Sequence, residues 1–194
     1  SAPANQITFR DQLRAARRLV RDNSIYRHFL LTRIVLAITD IASPFYAIYA
    51  VSILRVPPES VGMYIGIATI SSVVTNPLWS RLSDQRGNRI VLLGAASGVL
   101  AMPLIALAFG FLPAGAWLGL PFGLLFILLG TSRTSANIAY PSYLLEIAPA
   151  HERPLYIGFT NTLLGIATFI PVAGGVLLDL VGFRALLLLT GAVS

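Results

Sequence analysis

Apolar positions along this chain come in long uninterrupted blocks separated by short polar punctuation, with no strand-like alternation. The blocks run approximately from Tyr26 to Leu54, Val61 to Leu82, Ile90 to Leu112, Trp117 to Leu145 and Leu155 to Leu178. Each is long enough to cross ~30 Å of hydrocarbon at ~1.5 Å per helical residue. A sixth block begins at Arg184 and stops after about half a span, as an excerpt of a longer chain would. The connectors "RVPPES", "DQRGNR", "FLPAGAW", "APAHERP" and "DLVGF" carry the turn formers. The pattern predicts an all-α membrane protein: a six-helix transmembrane bundle over residues 25–194, its last helix truncated.

Ahead of the first block, residues 8–21, "TFRDQLRAARRLVR", put Phe9, Leu13, Ala16 and Val20 on one helical stripe, with the arginines largely elsewhere. That stripe is too narrow to span. It predicts an amphipathic interfacial helix, lying against anionic headgroups, within a cytoplasmic linker over residues 1–24; a solvated linker helix is the alternative.

Composition sharpens this picture. Charged residues are 11% of the 194 and apolar residues 56%, against ~25% charged for soluble domains. All 14 basic residues are arginine, so the net charge of +6 involves no titration near neutrality. These arginines are scattered among apolar runs and form no basic face with interleaved aromatics, which argues against nucleic acid as a partner. Arg27, Arg81, Arg86, Arg89 and Arg153 fall with the basic segment on one side of the predicted membrane, and Arg55 and Arg184 on the other. By the positive-inside bias the loaded side is cytoplasmic, in a plasma or inner membrane.

Charges at membrane depth are site candidates by default. Arg33 and Asp40 lie seven residues apart in the first span, on nearly one face, with Asp40 about halfway across. In the fourth span "GTSRTSANIAYPSY" brings Arg133, Asn137 and Tyr140 together at i, i+4 and i+7. Asp40 is the one carboxylate expected at the depth of Arg133, so an Asp40 to Arg133 contact is predicted. Asn76, with Thr69 and Ser72, and Asn161, with Thr168, add polar stripes in the second and fifth spans. Structural readings stand beside each of these. Arg33 can snorkel to the headgroups, Asp40 and Arg133 can lock two helices as an ion pair, and each asparagine can serve an interhelical hydrogen bond. Gly94 and Gly98 form a GxxxG pair of the kind that packs helices within one bundle. Pro44, Pro77, Pro141 and Pro171 lie in or near four spans, where kinks adjoin cavities or moving segments.

Enzymatic readings fail on inventory. No GxxxxGK[ST] phosphate loop occurs, and the two histidines, His28 and His151, fall near predicted membrane ends without metal-ligand spacing. No nucleophile and base share one depth, there is no cysteine, and no cofactor or metal is implied.

The stretch "SRLSDQRGNR", residues 80–89, is expected to be a short cytoplasmic loop between the second and third spans. It resembles the cytoplasmic loop signature of the major facilitator superfamily, approximately G-x-L-x-D-R-x-G-R-R/K. Leu82, Asp84, Gly87 and Arg89 match, Arg86 partly substitutes for the displaced arginine, and Ser80, Gln85 and Asn88 depart from it. The departures resemble the degraded second copy of that signature. Residues 144–179 and the following "DLVGFRALLLL" are similar to the family's fourth-to-fifth and fifth-to-sixth passages.

The resemblance implies the C-terminal half of a twelve-helix secondary transporter, partnered by its N-terminal half or a second copy and by a small-molecule substrate, working by alternating access. It also implies that the first and fourth helices line the cavity, and that Asp84 caps a neighbouring helix or pairs with a base. A non-transporting assembly or sensing module and a lipid translocase of the same fold are the alternatives.

Overall fold

A computed structural model of the protein describes residues 18–193, all-helical with short connections. Of the expected amphipathic helix, residues 8–17 lie outside the described residues; 18–22 form a helical turn whose Leu19 is buried. Helix α1, Ser24–Thr39, starts at Asn23, whose side chain accepts the Tyr26 amide at 3.0 Å, a conventional N-cap. A 3-10 segment, Asp40–Phe45, joins it to α2, Tyr46–Ser52. Pro44 explains the change of winding. It has no amide hydrogen to give the Asp40 carbonyl four residues back, and its ring crowds that carbonyl.

Helix α3 spans Ser60–Arg86, α4 spans Asn88–Phe109, and α5 spans Gly119–Ile147 after a short 3-10 turn, Ala116–Leu118. The expected loop at 80–89 is therefore helical through Arg86. Only Gly87, at φ 84°, departs from helical winding, because a glycine reaches that conformation without a Cβ penalty and one residue then turns the chain.

Helix α6, Arg153–Ala167, is followed by α7, Ile170–Val193, whose winding is broken at Gly182 with φ 77°. The continuous fifth span expected from Leu155 to Leu178 is thus interrupted after Ala167. Pro171 cannot donate a hydrogen bond to the Ala167 carbonyl, so the helix restarts there. Among the described residues four helical stretches are long and apolar enough to cross a membrane: Ser24–Ser52, Ser60–Arg86, Asn88–Phe109 and Ala116–Ile147. This is an integral membrane bundle, four of whose crossings lie among the described residues.

Helix α5 lies at the centre, against both α3 and α4. Gly130 rests on the backbone of Ala68 and Gly123 on Ile67, while Ser132 sits against Gly98. Trp79 occupies the space that a Gly94 side chain would need. The GxxxG pair accordingly packs within this bundle, where small residues let helices approach closely. Beside the Gly130 crossing the hydroxyls of Ser72 and Thr134 bond each other, and Thr134 also donates to the Ser72 carbonyl at 3.2 Å.

Two aromatic cores flank this central crossing. One gathers Tyr46, Tyr49, Tyr64 and Phe122, with Tyr64 donating to the Gly119 carbonyl at 3.0 Å. The other gathers Tyr26, Phe29, Leu144 and Tyr156, tied by Tyr26 to Thr160 at 2.8 Å and by Asn23 to Tyr156 at 3.0 Å. Buried hydroxyls so paired avoid an unmet desolvation penalty. Arg27, Arg81, Arg86, Arg89 and Arg153 are all exposed at or near helix termini. These termini share one end of the bundle, since Asn88 reaches Glu146 and Asn23 reaches Tyr156.

Candidate functional site: a polar face of the bundle

Arg133 is the fifteenth of the 29 residues of α5, hence near mid-span, and it is exposed on the bundle surface, as is Asn137. Tyr140, half-buried, continues the same face. Opposite, on α1, Arg33 stacks its guanidinium carbon 3.7 Å from the Tyr140 ring centroid. That distance is a close cation–π contact. Arg33 therefore turns inward instead of extending to the headgroups, and its Nε is buried without a hydrogen-bond partner.

Between α1, α5 and α6 lies a cavity of about 330 Å³. Arg33, Asn137, Tyr140 and Asn161 line it together with Phe29 and Leu145. Four of the seven positions singled out from the sequence thus share one groove. Pro141, also on its wall, has no amide hydrogen for the Asn137 carbonyl, so that carbonyl lacks its usual helical partner.

Asp40 and Arg133 are not lining residues; they meet farther along α1. Arg133 Nη2 donates to Ser43 Oγ at 3.0 Å, and the Asp40 carboxyl, half-buried, lies in the field of Arg133 and within reach of the same Ser43 hydroxyl. No direct Asp40 to Arg133 ion pair exists among the described residues. Ser43, three residues after Asp40, takes the Arg133 bond instead. Ser43 went unnoticed in the sequence because a lone hydroxyl in an apolar run carries no signal, though its spacing three residues after Asp40, one turn, pointed to it. Thr160 was missed likewise; it is buried on the groove wall, engaged by Tyr26.

Asn76 is exposed on α3 and outside the groove, and Ser80 donates to it at 3.5 Å. Its neighbours in the predicted stripe serve the fold, Ser72 across to α5 and Thr69 back to the Ile65 carbonyl at 2.9 Å.

At the signature stretch Leu82 is half-buried, and Asp84, Arg86, Gly87 and Arg89 are exposed. Asp84 has no hydrogen bond or ion pair among the described residues. The latch is formed by Asn88, at a position where the signature carries a base. Ser83 donates to Asn88, which donates to Glu146 at 3.3 Å. This joins the α3–α4 turn to the end of α5.

The Major Facilitator Superfamily model matches residues 28–194. Multidrug resistance protein MdtG of Salmonella paratyphi A is 30% identical over 138 residues, covering 68% of this chain and 31% of that protein. MdtG of Proteus mirabilis (strain HI4320) is 28% identical over 155 residues, 77% of this chain and 37% of that protein. MdtG of Enterobacter lignolyticus (strain SCF1) is 29% identical over 164 residues, 79% and 36% respectively. The chain spans about a third of the length of these curated relatives. No solved structure matches. A membrane bundle with polar side chains on its inner helices, matched along nearly its whole length by the family's own pattern, belongs to the major facilitator superfamily, whose members are transport proteins rather than enzymes.

Proposed function

We propose that this chain is one six-helix half, the C-terminal one, of a twelve-helix secondary transporter that moves a small solute by alternating access, driven by a proton or solute gradient. Its arginine-loaded end, with the basic N-terminal segment, faces the cytoplasm. The cavity is completed by the N-terminal half of the same transporter or by a second copy. Asp40 is the protonatable coupling group, Arg133 its counter-charge beside Ser43, Asn137 and Asn161 are polar contacts on the cavity wall, and Asn76, on α3 outside the groove, faces the aqueous path between the halves. Because the relatives are named multidrug resistance proteins, drug-like small molecules are the proposed cargo.

One observation carries this reading: Arg133 stands at mid-span and exposed, with no direct acidic partner. A permanent guanidinium at that depth is not stable against lipid tails; it needs water, an acid or a ligand. A water-filled path between two halves supplies that environment.

The test uses the full-length transporter in membranes with single cysteines replacing Asn76, Arg133, Asn137 or Asn161. A water-soluble thiol reagent is expected to label each position, with reactivity that changes when cargo or a gradient is applied. If all four stay unlabelled while a cysteine at Arg81 reacts, there is no aqueous path and the transport reading falls in favour of a packing or sensing module.

A further inference from the structure

Among the described side chains Arg33, Asp40 and Arg133 are the charged groups set well inside the apolar spans. Among these described side chains two guanidinium groups stand against a single carboxylate, and Arg133 is engaged by Ser43 at 3.0 Å. Arg33 has no ion-pair partner within 4.0 Å among the described residues, and its Nε is buried with no hydrogen bond. Tyr140 offers it a ring face, which screens the charge and does not neutralise it. A desolvated cationic donor left in this state is costly unless an anion completes it.

The surroundings of Arg33 have the complementary chemistry. Among the described residues no aspartate or glutamate lines the groove. The side-chain amides of Asn137 on α5 and Asn161 on α6 supply N–H donors from two walls, whereas the Thr160 hydroxyl is occupied by Tyr26. Phe29, Leu145 and Leu164 belong to its apolar lining. A volume of about 330 Å³ is roughly twice the ~150 Å³ that encloses a benzene, room for one or two rings. A cation would meet the uncompensated Arg33, and a neutral molecule would leave it unpaired.

We infer that the groove between α1, α5 and α6 binds an organic anion with an apolar body of one or two rings, its acid group held by Arg33 between Asn137 and Asn161. This deepens the transport reading by naming the charge class of what the groove takes. A soluble carboxylate and an anionic lipid present the same chemistry.

The test is equilibrium binding to the purified full-length protein in phosphatidylcholine nanodiscs, using 2-naphthoate, its neutral amide and the cationic 2-naphthylmethylamine. Naphthoate is expected to bind roughly tenfold or more tightly than the other two, the worth of one charge-assisted hydrogen bond. Arg33→Gln is expected to abolish that preference and Arg33→Lys to retain part of it. Asn161→Asp adds a carboxylate to the groove without touching Arg33, so it tests the same idea if Arg33→Gln fails to fold; it should turn the preference toward the amine.

Equal binding of naphthoate and its amide, or a naphthoate preference that survives both Arg33→Gln and Asn161→Asp, overturns the inference. Competition by added phosphatidylglycerol, lost in Arg33→Gln, would assign the anion to a lipid; absence of competition would assign it to a soluble acid. Because binding is read without transport, a protein that binds naphthoate and shows no aqueous labelling keeps this inference and loses the transport reading. A labelled cavity without anion preference does the reverse.

Discussion

Ser43 is where Arg133 meets the segment that carries Asp40. Its hydroxyl takes one hydrogen bond from the guanidinium at 3.0 Å and leaves its own proton available to the carboxylate. Removing it with Ser43→Ala loses a hydrogen bond to a charged group, on the order of 1.5 kcal/mol, which corresponds to roughly a tenfold slower transport rate if the link is made at the rate-limiting step. Asp40→Asn is expected to leave cargo binding in place and to abolish gradient-driven uptake or efflux in proteoliposomes. Full gradient-driven transport by that variant would remove Asp40 from coupling. The sequence already marked both charges through their depth, but the serine that takes the Arg133 bond became visible only when its segment and α5 were laid side by side.

At the scale of helices, the crossings around α5 are set by glycines that differ sharply in what surrounds them. A methyl group on Gly130 would meet the Ala68 carbonyl, whereas one on Gly62 would meet nothing within 4 Å. Gly130→Ala must push α3 away from α5 and strain the Ser72 to Thr134 link. Overpacking of this kind costs about 1 to 3 kcal/mol. Gly62→Ala should be neutral or stabilise by about 0.5 to 1 kcal/mol through helix propensity. Thermal unfolding in detergent, followed by tryptophan fluorescence, compares the two; equal midpoints would mean that the α3–α5 crossing does not rest on the missing side chain. Both glycines look alike in the sequence. Prolines are more legible, because Pro44 and Pro171 each disrupt winding at the carbonyl four residues earlier, Asp40 and Ala167. The interruption after Ala167 was missed by reading hydropathy alone, since apolar residues continue through it.

For the molecule as a whole, the exposed apolar face of α3 calls for a neighbour or lipid. Ile65, Ile70, Val73, Val74 and Leu78 are all well exposed there, and Tyr64 alone of that helix is buried. Taken with a match to about a third of the relatives' length, this predicts that the product made in native membranes is about twice 20.8 kDa or larger, as two six-helix halves require. An immunoblot of those membranes decides it. A band near 20.8 kDa would mean that two separate chains must assemble around the cavity.

The sequence by itself determined that the chain is helical and spans a membrane, approximately where its first four crossings lie, and which few charges sit at depth. Those properties follow from the length and polarity of local segments, and burial of backbone in lipid leaves helices as the available solution. It also determined that Arg133, Asn137 and Tyr140 share a face, because helical periodicity is local. Tertiary structure decided which way that face points and what meets it. The rotation of α5 is set by where Gly123 and Gly130 allow α3 to approach, and this contact joins residues far apart in the chain. Only that packing brings Asn161 to the same groove, turns Arg33 onto Tyr140, and brings Arg133 to Ser43.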